Sequence, residues 1–180
     1  MRRVVFSILV DNTSGVLSRI SGLFTRRGYN IDSLTVGTTA DPRFSRITVV
    51  SSGEESILEQ IEKQLNKLVD VLDIKRLEPD TSICRELALI KVKALSEDKQ
   101  MIFAIANMFQ ARIVDVSIGS LIIEVIGKQS KIDALLGLLE GYEILELART
   151  GITGLSRGTF DVKVSYEDGV LLDYDSLDKE

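Results

Sequence analysis

Histidine is absent from the sequence. That removes the commonest general base, the commonest metal ligand and the side chain that titrates near neutral pH. Catalysis by Asp, Glu, Lys or Ser stays open, but an enzyme becomes the less expected class. Cys84 is the only cysteine, which excludes an internal disulfide framework and a thiolate metal cluster and leaves a small apolar or inert thiol. There is no Walker loop, no GxGxxG after a strand, no metal-spaced acidic cluster and no GxSxG elbow. No apolar run approaches the roughly 18 residues that span a bilayer. The opening "MRRVVFSILVDN" is cut short at Asp11 and Asn12 before a signal peptide's apolar region could form, so a cytoplasmic chain beginning with a strand is expected. A long basic stripe interleaved with aromatics is also missing, which argues against nucleic acid as the main partner.

The 44% apolar and 27% charged fractions of the 180 residues are those of a globular protein with enough material for a core. The formal charge of −5 is unevenly placed: residues 160–180 hold seven acidic side chains against two lysines, so the rest of the chain balances. Hydrophobic periodicity predicts strands at 3–10, 29–39, 43–52 and 71–79, with helices at 15–28 and 54–70. On the first helix Val16, Leu17, Ile20, Leu23 and Phe24 recur at helical spacing, and Gly28 is a natural stop. After "EPDTS" the order recurs: a strand at 85–95, a helix at 97–110 with Met101, Ile102, Ile105 and Phe109 on one side, and a hairpin over 111–127. A helix at 131–141 and a last strand within 142–158 follow. Two βαββαβ units are therefore expected, each a ferredoxin-like α+β sheet with both helices on one face. In "VVFSILV" both faces are apolar except at Ser7, which calls for cover on the second face from another copy, a partner or the other half of the chain.

Three stretches invite a functional reading. "DNTSG" (11–15) leaves a strand and enters a helix. Its small polar residues suit simple capping. They equally suit a carboxylate site, with the N–H groups of Gly15, Val16 and Leu17 pointing outward, Asn12 holding a second polar group, and Gly15 admitting a ligand close to the backbone. In "RRGYNIDSL" (26–34), Asn30 is a turn residue or a ligand contact. "GITGLSRG" (151–158) lacks the lysine and context of a phosphate loop and reads as a structured turn or docking loop. The charges of "EESILEQIEKQL" form a solvated helix face.

The run "MRRVVFSILVDNTSGVLSRISGLFTRRGYNIDSLTVG", with "LEQIEKQLNKLVDV" and "ARTGITGLSRG", resembles the small regulatory subunit of acetohydroxyacid synthase, also called acetolactate synthase, over residues 1–158. The resemblance implies an ACT domain at 1–78, which is a ferredoxin-like amino-acid-sensing module, a linker at 79–84 and a second ferredoxin-like α/β domain at 85–158. An acidic tail at 159–180 is longer than the family pattern. It further implies a chain without catalytic residues or metal that pairs as a homodimer through its ACT domains, binds and activates a separate catalytic subunit, and confers feedback inhibition by valine. Thiamine diphosphate, Mg²⁺ and FAD would belong to that catalytic subunit. The implied effector site joins Asn12, Gly15, Val16 and Leu17 of one copy to Asn30 and Ile31 of its neighbour. A stand-alone ACT sensor serving another enzyme or a transcription factor is the alternative.

Overall fold

A computed structural model describes residues 2–158 and the backbone of 163–167 and 170–173. The rest of the segment read as an acidic tail lies outside the described residues. The chain divides into two compact units, residues 1–84 together with 154–180, and residues 85–153.

The first unit opens with β1 (Arg2–Asp11), in which Val4, Phe6, Ile8 and Val10 alternate onto one face of the strand. The chain continues through α1 (Val16–Arg27), β2 (Ser33–Thr38), β3 (Phe44–Gly53), α2 (Glu55–Leu65) and β4 (Val71–Arg76). All pairings are antiparallel and the strand order is β2-β3-β1-β4, the ferredoxin-like arrangement. Both helices lay apolar stripes on that face: Val16, Ile20, Leu23 and Phe24 from α1, and Leu58, Ile61 and Leu65 from α2. Leu17, expected in the stripe, is exposed instead. Gly28 stops α1 in the left-handed region at φ 67°, as its position suggested. The second helix ends at Leu65, earlier than expected, because the Lys67 and Leu68 N–H groups bond only three residues back, to Gln64 and Leu65. Arg76 ties β4 to α2 through Glu62 (2.7 Å) and Glu55, with its guanidinium 5.8 Å from the centre of the Phe6 ring.

Leu9, Thr48 and Val50 project from the opposite face of the sheet and are buried as well.

The second unit repeats the plan with β5 (Ser82–Lys93), α3 (Lys99–Met108), β6 (Arg112–Val116), β7 (Ser120–Gly127), α4 (Gln129–Leu138) and β8 (Ile144–Arg149), in the order β6-β7-β5-β8. Its core joins Ala88, Ile90 and Val92 to Leu121, Ile123 and Val125, under Ile102, Ile105, Ala106, Ile132 and Leu135. Met101 faces solvent and Ala106 takes the place expected for it in the buried stripe. The buried carboxylate of Glu86 receives two bonds from Arg149 on β8, at 2.7 and 2.8 Å, and the same guanidinium reaches Asp133 on α4 at 3.1 Å. This fork holds strand, strand and helix together.

"GITGLSRG" is not the turn or docking loop expected of it. Residues Thr153–Ser156 form β9, which pairs with β5, and the Arg157 N–H donates to the Thr81 carbonyl at 2.7 Å. The glycine permits that pairing, since a Cβ at Gly154 would sit 2.9 Å from the Ile83 carbonyl oxygen and 2.7 Å from Cys84 Sγ. The strand β5 thus begins at Ser82, inside the stretch read as linker. Past it, β10 (Lys163–Glu167) and β11 (Val170–Asp173) pair with each other.

Two stability outcomes follow from these contacts. Gly154→Ala forces backbone apart and costs about 1–3 kcal/mol in denaturant unfolding. Arg149→Met strands the buried Glu86 carboxylate and costs about 3 kcal/mol, more than Glu86→Gln, measured the same way.

Candidate functional site

β1 delivers the chain to "DNTSG" at one end of the sheet. The Asn12 N–H donates to the Arg43 carbonyl at 2.7 Å, and its side-chain Nδ2 donates to the Pro42 carbonyl at 2.8 Å, so the loop is laced to the β2–β3 turn. That turn is braced by Arg43, whose guanidinium and backbone N–H both bond Asp41 and hold its carboxyl below the usual carboxylate range. Residues 13–16 then make a tight turn closed by Val16 N–H to Thr13 O at 3.5 Å. Gly15 sits at its corner with φ 88° and ψ −10°, a left-handed conformation that costs an L-residue about 1–2 kcal/mol.

Gly15 is the N-cap of α1, and no side chain of the loop caps the helix. Of the three N–H groups expected to point outward, that of Val16 is engaged by Thr13. Those of Gly15 and Leu17, joined by Ser18, have no acceptor among the described residues. Beside them lies a cation that the sequence reading missed. The Arg19 guanidinium is held by Asp70 through Nε (2.6 Å) and Nη2 (2.8 Å), and its remaining nitrogen would come within 3.1 Å of a Cβ at Gly15. The bond from Asp70 raises the Arg19 pKa above its ordinary value. Arg19 stands four residues after Gly15, one helical turn on, and that spacing was the available signal. Uncapped N–H groups, the positive end of the helix dipole and a guanidinium together suit a carboxylate.

Asn30 and Ile31 lie in the loop after α1, before β2 begins. The chain does not enter the sheet at Tyr29, as its apolar pattern suggested. Tyr29 bonds back to the Phe24 carbonyl and packs edge-on against the Phe24 ring, and the ladder starts with Asp32 N–H to Val50 O at 2.8 Å. Ile31 is half-buried against the core and Asn30 is exposed. The Asn30 carbonyl accepts from Ser51 Oγ at 2.6 Å, while its Nδ2 donates to Asp32 Oδ1 at 2.6 Å.

These two groups of residues are not brought together within one chain. Asn12 follows the Asp11 end of β1, whereas Asp32 pairs with Val50, which lies opposite Val5 near the other end. The length of α1, 12 residues, separates the loops by roughly 18 Å along the helix axis. Between them β2 runs along the edge of the sheet with Val36 exposed.

Residues 6–73 match the family model described as AHAS small subunit-like ACT domain, and residues 85–158 match that of the small subunit of acetolactate synthase. The acetolactate synthase small subunit of Mycolicibacterium smegmatis is 51% identical over 152 residues, covering 84% of this chain and 89% of that one. The isozyme 3 small subunit of Salmonella typhimurium is 45% identical over 159 residues, covering 88% and 97%. The crystal structure of the acetolactate synthase small subunit from Thermotoga maritima superposes with a TM-score of 0.82 at 42% identity, covering 88% of this chain and 99% of that one. With both units matched in order and relatives aligned along most of its length, the chain belongs to the acetolactate synthase small subunit family.

Proposed function

We propose that this chain is the regulatory subunit that binds a separate acetolactate synthase catalytic chain in the cytoplasm, activates it, and makes it subject to feedback inhibition by valine. In this reading thiamine diphosphate, Mg²⁺ and FAD sit on the catalytic chain, and this one contributes no reacting group. Among the described residues no helix is long and apolar enough to cross a membrane.

The observation that carries the reading is the uncapped start of α1. Free N–H groups at Gly15 and Leu17 beside the Arg19 guanidinium offer a ready partner for an α-carboxylate. The exposed Leu17 and the half-buried Ile31 supply apolar surface for a branched side chain. Since Asn12 and Asn30 sit at opposite ends of α1, a ligand of valine's size meets both only where two copies pair. We therefore place valine between the β1–α1 loop of one copy and the α1–β2 loop of the other, in a homodimer formed through the ACT domains. Valine bound across that junction favours one arrangement of the pair, and the attached catalytic chain responds to the arrangement. Coupling of this kind is reciprocal and typically worth about 1–3 kcal/mol.

Gly15→Asp places a carboxylate where the ligand's own would sit. The variant is expected to keep its activation of the catalytic subunit while its affinity for L-valine falls by about tenfold or more, the loss of a charge-assisted hydrogen bond. Activity assays of the reconstituted pair and calorimetric titration with L-valine, with D-valine as control, read both quantities. Loss of activation together with inhibition would assign Gly15 to folding or assembly and overturn the site.

A further inference from the structure

The hydrogen bonds of Asn12 and Asn30 determine what the site offers a ligand's amine, an inference that rests on the effector-site reading above. A side-chain amide has a donor end and an acceptor end. The partner of Asn12 is the Pro42 carbonyl and the partner of Asn30 is the Asp32 carboxylate, and both can only accept. Each bond therefore fixes which way its amide points, with the nitrogen turned toward a partner inside the chain. Neither Oδ1 accepts a hydrogen bond among the described residues.

For Asn12 the constraint is backbone, which no substitution of a side chain removes. For Asn30 it is one carboxylate. Asp32 is itself fixed: Ser52 Oγ donates to its Oδ2, Arg3 Nε lies 3.7 Å from the same oxygen, and its N–H opens the β2–β3 ladder at Val50. We propose that Asp32 is a positioning residue which, by holding the Asn30 amide nitrogen, leaves the side-chain Oδ1 of Asn30 as the acceptor for the ligand's α-ammonium, so that the site selects an amino acid over the matching carboxylic acid. Without Asp32 the amide turns freely and presents its NH₂ as readily as its oxygen. An ammonium gains nothing from an NH₂, whereas a ligand lacking the amine is indifferent to the turn.

The test compares L-valine with 3-methylbutanoate, which is valine without its amine, on the full chain by calorimetric titration and displacement. Wild type prefers L-valine. Asp32→Ala reduces that preference by about tenfold, the value of a hydrogen bond to a charged group, with 3-methylbutanoate binding unchanged. Asp32→Asn keeps most of the preference, because its own carbonyl oxygen can accept from Asn30 Nδ2. Should the alanine variant fail to fold in thermal unfolding, Asp32→Val, which also lacks an acceptor, takes its place. A general loosening of the loop weakens both ligands equally, so an unchanged ratio in the Ala or Val variant overturns the role of Asp32 while leaving the effector site standing. Failure of wild type to bind L-valine overturns the site reading and this inference with it.

Discussion

The candidate site depends first on the unbroken antiparallel register of β1 against β3, from Arg2 opposite Gly53 to Asp11 opposite Phe44. Phe6 and Ile8 lie in the middle of that ladder, fully buried and paired with Val49 and Ile47, so the strand can neither slip nor bend without exposing the core. A rigid central strand with α1 lying on it holds the loop at Asn12 and the loop at Asn30 at opposite ends of the domain. The two loops cannot close on each other within one chain. In the proposed function, pairing of copies is therefore a condition for binding, and a ligand that bridges the pair acts on its arrangement.

The two halves differ in chemistry as well as position. At Gly15 a left-handed turn begins a helix without a side-chain cap, leaving donors and a guanidinium together. At Asn30 the amide nitrogen is turned toward Asp32, which leaves the amide oxygen on the other side. Complementary polarity of this sort suits a zwitterion. In the proposed site, selectivity would arise when one molecule satisfies both halves, because an unmatched polar group at a closed junction is costly.

Much of this was legible in the sequence. The period-2 pattern of "VVFSILV", the helical stripe of Val16, Ile20, Leu23 and Phe24, and Gly28 as a stop were sufficient for the first unit, and the repeated element order was sufficient for the second. What was missed depended on tertiary contacts. "YNIDSL" alternates like a strand, but Tyr29 is drawn back onto Phe24 and the sheet starts at Asp32. "GITGLSRG" has the composition of a turn, and only the crowding of Gly154 against Ile83 and Cys84 reveals why glycine belongs in a strand there. The Val16 N–H was expected to be free and is spent on Thr13, a detail set by turn geometry that composition does not encode. Arg19 belongs to no motif in the sequence, and only its bonds to Asp70 show that it is held beside Gly15.

The central claim is that each effector site is built from two copies, and subunit mixing tests it most directly. Gly15→Asp damages one half-site and Asn30→Ala the other, so each variant alone should bind L-valine at least about tenfold more weakly than wild type. Co-refolding the two gives mixed pairs in which one junction carries both lesions and the other carries none. The account predicts that mixing restores L-valine binding at half of the junctions in mixed pairs, read by calorimetry on tag-purified heterodimers. Mixed pairs that bind no valine, or sites of full affinity in either parent variant, would contradict it.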